Sequence, residues 1–103
     1  SRSMTMAVDG NYNLTMQTPM GNREVKLELT SAGNDLSGSF AGPQGNAPLT
    51  GTVNGDAFNF SLTFTGQMGP MELKFDGKQE GDGLAGTVQF GAFGSGPFTA
   101  TKA

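Results

Sequence analysis

The 103-residue chain contains no histidine, no cysteine, no tryptophan and no isoleucine. Without histidine there is no imidazole base; without cysteine there is no thiol nucleophile, no disulfide and no zinc site of the usual ligands. Charge is sparse as well: six Lys and Arg against nine Asp and Glu leave a net charge of -3, with no basic patch for nucleic acid. No apolar run approaches the roughly 18 residues of a membrane-spanning helix. Leu, Val and Phe together supply 20 residues, a level at which disorder has to be considered. A disordered chain should also carry high net charge, and this one instead patterns its apolar residues strongly. Glycine is what the chain has in excess: 17 Gly and five Pro imply many turns and no long helix.

The length suits one domain. Ser1-Arg2-Ser3 ahead of Met4 reads as a cloning remnant, so residues 1–5 are expected to be tag or disordered N-terminus and 6–103 a single domain. Met4 to Val8 is too short and polar for a signal peptide. With Met4 as the native start, the expected location is the cytoplasm. Two glycosylation sequons, at Asn13 and Asn59, are put down to chance in a chain rich in Asn, Ser and Thr.

The chain is written twice. Met20-Gly21-Asn22-Arg23-Glu24-Val25-Lys26-Leu27-Glu28 lies over Met68-Gly69-Pro70-Met71-Glu72-Leu73-Lys74-Phe75-Asp76 at an offset of 48, which gives ten identities over positions 11–40. One inserted residue later, Gly45, Pro48, Thr50 and Thr52 fall on Gly94, Pro97, Thr99 and Thr101. The repeat halves are about 8–53 and 54–103. Within each half, period two dominates, as in Tyr12/Leu14/Met16, Val25/Leu27/Leu29 and Phe58/Phe60/Leu62/Phe64. Such alternation means one apolar and one wet face, as in antiparallel meanders. The expected fold is all-β: an eight-stranded antiparallel up-and-down β-barrel built from two four-stranded repeats, with about twenty inward side chains. A two-sheet sandwich is the competitor.

Antiparallel order sorts the loops. Those at 31–35, 54–57 and 77–83 are polar turns at one end; those at 18–22, 41–48, 65–70 and 91–97 share the other. The second set carries Pro19, Met20, Pro43, Met68, Pro70 and Phe93, and apolar loop tips call for a reason. Either they form an entrance rim for an apolar ligand or partner, or they fold over and plug the barrel. Gly38, Gly51, Gly86 and Ala100 fall on mid-strand inward positions. They either leave a chamber or permit sharp coiling around a phenylalanine-filled interior. Few polar groups share the inward parity: Arg23 by the rim, and Tyr12 with Lys102 at the opposite end, where the lysine is expected over the phenol ring. Glu24, Lys26, Glu28, Glu72, Lys74 and Asp76 fall outside, as a solvated wall. The rest of the wall, including Thr50, Thr52, Thr87, Gln89, Thr99 and Thr101, is short of charge and suits a homodimer.

Gly10-Asn11-Tyr12 opening the first strand and Lys102 ending the last resemble the lipocalin and avidin (calycin-like) pattern, with Tyr in place of Trp and Lys in place of Arg. Over nearly its whole length the chain resembles small bacterial β-barrel domains of uncharacterised function. The shared elements are Thr18-Pro19-Met20-Gly21, Gly51-Thr52-Val53-Asn54-Gly55-Asp56 and Gly91-Ala92-Phe93-Gly94. The resemblance implies a stand-alone module or an appendage of a hydrolase, and carries over no functional residues.

The expected function is non-enzymatic binding of a small apolar or amphipathic molecule at the Met/Gly/Pro loop end. Met16, Met20, Arg23, Phe64, Met68, Met71, Phe90 and Phe93 are the candidate ligand-binding residues, with Arg23 orienting a polar head. No catalytic or metal-binding residue, no cofactor, and no nucleic-acid or membrane partner is assigned. Two alternatives remain open: a cofactor-free cyclase or isomerase, for which Tyr12 and Arg23 are the inward polar candidates, and an accessory interaction module of a larger hydrolase.

Overall fold

The computed structural model describes residues 8–18, 21–42, 45–66 and 69–103, with the backbone alone at 64–66 and 93. Residues 1–5 and the rim positions Pro19, Met20, Pro43 and Met68 lie outside the described residues. Eight strands follow one another: β1 (Gly10–Thr18), β2 (Gly21–Ala32), β3 (Asp35–Gly42), β4 (Gly45–Asn54), β5 (Ala57–Gly66), β6 (Gly69–Glu80), β7 (Gly83–Phe90) and β8 (Ser95–Lys102). Each pairs antiparallel with the next, and β1 closes onto β8 with Leu14 opposite Ala100 and Thr15 opposite Thr99. The sheet is an up-and-down barrel without an edge. Its geometry fits the duplication: β2 and β6 each span 12 residues, β3 and β7 each span eight, and corresponding Gly33 and Gly81 have φ of 63° and 61°.

Period two builds the walls. In β2, Val25, Leu27 and Leu29 are buried while Glu24, Lys26 and Glu28 are exposed, and the other strands repeat this alternation. Two-residue turns join the strands at one end; at Gly55-Asp56 the glycine supplies the positive φ (66°) that a tight hairpin of the right twist needs.

Three strands are longer than their sequence suggests. The loops expected at 41–48, 65–70 and 77–83 are mostly strand among their described residues: Pro48 and Pro70 do not end the ladders in which they sit, and β6 stays paired with β7 as far as Glu80. Pro48 pairs with Ser39 on β3, but β4 meets β5 only from Thr50. Pro70 pairs with Thr65 on β5, but β6 meets β7 only from Leu73. Pro97 pairs with Thr87, but β8 meets β1 only from Phe98. Each missing N–H falls on a side where the strand has no neighbour, as at a sheet edge.

The barrel's middle is filled. Among the described residues the core comprises 21 buried apolar side chains, and no charged side chain is buried. Phe75 is the hub: its ring centroid lies 4.6 Å from Phe60 in a stack, 5.3 Å from Phe98 edge-on and 6.2 Å from Phe40. Offset and edge-to-face contacts at these distances are favourable for aromatic rings. The mid-strand glycines serve coiling. A methyl group on Gly51 would run into the Asn59 carbonyl of β5, and one on Gly86 into the Asp76 carbonyl of β6. The neighbouring backbone occupies the space a chamber would have used.

At the turn end the barrel is stoppered by Val8, which is fully buried. Tyr12, itself buried, donates its hydroxyl to the Val8 carbonyl at 3.1 Å. Asp9 fixes the same segment: its carboxylate accepts from the Ser31 backbone N–H at 3.1 Å and from the Ser31 hydroxyl at 2.5 Å. Lys102, expected over the phenol ring, is the exposed cross-strand partner of Tyr12, and a methyl on Gly10 would sit 3.9 Å from both the Lys102 Cε and the Tyr12 ring edge. The stopper is an apolar side chain and a peptide carbonyl.

Candidate functional site

At the opposite end the ladders are staggered, and this stagger makes the mouth. Residues 21–25 of β2 pair only with β1, 45–49 of β4 only with β3, 69–72 of β6 only with β5, and 95–97 of β8 only with β7. Four two-stranded ribbons therefore project past the closed cylinder. The first is pinned at its tip by the Thr18 hydroxyl, which donates to the Gly21 carbonyl at 2.6 Å. The last is bridged by a single 3-10 turn (Gly91–Phe93) and a bond from the Phe90 N–H to the Gly94 carbonyl at 2.8 Å.

Inward parity gives each ribbon one lip residue: Arg23, Ala47, Met71 and Gly96 continue the series of Val25, Leu49, Leu73 and Phe98. Ala47 and Met71 are partly buried and pack against the core; Arg23 is exposed. Below the lip, Met16 and Phe90 are buried at 6% and 3% exposure and form the floor. Met16 is the direct cross-strand partner of both Arg23 and Phe98. Phe90 reaches across to β8, since a methyl on Gly96 would sit 3.7 Å from its ring. Met71 lies under the β7–β8 connection, since a methyl on Gly91 would sit 3.5 Å from its Cγ.

Of the eight candidate residues, Met16, Arg23, Met71 and Phe90 thus come together at one end. Phe64 lies on β5 opposite Met71, and Phe93 in the 3-10 turn, with their side chains outside the described residues; so are Met20 and Met68 entirely. Ala47 is a lip residue that the sequence reading missed. Counting back in twos from Leu49 finds it, but Pro48 had marked the segment as loop.

Tyr12 is at the far end of β1 from Arg23, with its hydroxyl already given to Val8. Burial, reinforced by the negative charge of Asp9, raises its pKa above the ordinary phenol value and keeps it protonated. The two do not form an acid–base pair. Chemically the mouth offers a soft, polarizable thioether, an aromatic floor, glycine backbone and a guanidinium at the lip. No protein-family model matches the sequence, and comparison with curated proteins likewise gives no match.

Proposed function

We propose that the protein is a non-enzymatic binding barrel that takes an apolar or amphipathic molecule at its ribbon-lined mouth. The observation that carries this reading is Met71, a half-buried side chain continuous with the core at the lip of the same opening as exposed Arg23. Burial of a hydrocarbon tail against Met71 and the ribbon backbones supplies affinity, and Arg23 receives an anionic head such as a carboxylate. Because phenylalanine rings occupy the middle, the ligand is seated in the mouth and not threaded through the barrel. The filled interior also favours a second reading, in which the same mouth grips an apolar side chain of a partner domain. The kinship we propose, with small calycin-like bacterial barrel modules, fits both.

The test is a fluorescence titration with dansylundecanoate, an anionic amphiphile. Saturable binding is expected, and Met71→Ala should weaken it about tenfold, from ~1–2 kcal/mol of lost burial. Arg23→Ala should weaken the carboxylate and leave the methyl ester of the same probe unchanged. Binding that never saturates, or that ignores both substitutions, overturns the proposal.

A further inference from the structure

The duplication sets the lip residues of the mouth in two opposed pairs. Arg23 and Met71 are repeat equivalents at the offset of 48, and Ala47 and Gly96 are equivalents after the one-residue insertion. β2 and β6, like β4 and β8, are four strands apart in a ring of eight, so each pair spans a diameter. The two diameters are unlike. One carries long side chains at both ends, the other an alanine and a glycine. Strands about 4.8 Å apart and tilted about 40° make an eight-stranded ring about 16 Å across. An arginine and a methionine on inward positions at opposite sides of it leave about one hydrocarbon chain's width between them. The opening is therefore a slot, narrow between Arg23 and Met71 and long between Ala47 and Gly96.

The two ends of the slot differ as well. At Gly96 a methyl group would come within 2.6 Å of the Gln17 carbonyl oxygen and 3.7 Å of the Phe90 ring, so β8 leans on the end of β1 and closes that end. Ala47 marks the open end. Residues 45–49 of β4 have no ladder partner on β5, and the Ala47 methyl is continuous with the core. Below the slot, Phe90 and the rings around Phe75 bar descent, and a ligand has to lie across the opening.

From this shape, and resting on the binding reading above, we infer that the ligand is an unbranched carboxylate of medium length. Its head is at Arg23, its chain runs against Met71, and its tail leaves over Ala47. Ala47 is then the residue that sets chain length. Lip residues a quarter-turn apart on such a ring are separated by about 11 Å, the reach of about nine methylenes. Carbons beyond that project into water and add nothing to affinity. A fused ring system, wider than one chain, does not pass between Arg23 and Met71.

Isothermal titration calorimetry with the straight-chain carboxylates from hexanoate to tetradecanoate, each below its micelle concentration, tests this. Affinity should rise about fourfold per methylene as far as decanoate and then level off. Abietate, a tricyclic acid with more apolar surface than decanoate, should bind about tenfold more weakly than decanoate. Ala47→Phe sets a ring at the open end and should weaken decanoate about tenfold, with circular dichroism confirming the fold. Ala47→Leu, a smaller obstruction, should act in the same direction and serves where the larger ring unfolds the barrel. If no carboxylate binds saturably, the binding reading fails and this inference with it. Affinity that keeps climbing to tetradecanoate, abietate as tight as decanoate, or indifference to the Ala47 substitutions overturns the slot and leaves the binding reading standing.

Discussion

Tyr12 shows how one side chain can couple an end of the barrel to pH. Its hydroxyl is a donor to Val8, so only the protonated phenol makes the bond that helps hold the stopper. Its pKa is raised in the folded chain, first by burial and then by Asp9. A group whose folded pKa exceeds its unfolded one contributes stability that is complete below the unfolded value and is lost as pH climbs through the folded one. Stability should therefore decline above the ordinary tyrosine pKa of about 10, and the folded phenol should titrate later than the denatured one by absorbance at alkaline pH. Tyr12→Phe should cost about 1 kcal/mol near neutrality, the net worth of one hydrogen bond, and should remove that component of the alkaline decline in denaturant melts.

At the scale of strands, the mid-strand glycines, which the sequence allows to line a chamber or to let the sheet coil, prove to be places where one backbone crowds another. Gly51→Ala is expected to destabilise by about 1–3 kcal/mol, since the added methyl must displace the β5 backbone at Asn59 and Phe60; the midpoint of urea unfolding checks this. The eight strands and their inward faces were legible in the sequence because alternation survives any coiling of the sheet: Leu27 and Phe60 are buried as their parity demands. Strand ends were not. Pro48 and Pro70 carry the signature of breakers, and nothing local reveals that β4 and β6 have a neighbour on only one side there. The mouth was legible in part for the same reason. Met16, Arg23, Met71 and Phe90 follow from parity and loop order, whereas Ala47 depends on the ladder stagger, a property of how the sheet closes. The choice between chamber and filled core was likewise decided by distances between strands, which no residue type encodes.

For the molecule as a whole, closure is the governing fact. β1 and β8 are joined by five residue pairs from Tyr12–Lys102 to Met16–Phe98, contacts between opposite ends of the chain that form only after a long loop is closed. Removing residues 95–103 would leave β1 and β7 as open edges, and that truncated protein is expected to aggregate, with light scattering rising where the full chain stays clear. The same seam sets how the barrel answers a pull. Because Gly10 starts β1 and Lys102 ends β8 side by side, tension through the flanking chain would strip the seam's hydrogen bonds one after another instead of straining them together. Spliced into a tether, the barrel would act as a weak link that unbuttons from the stoppered end.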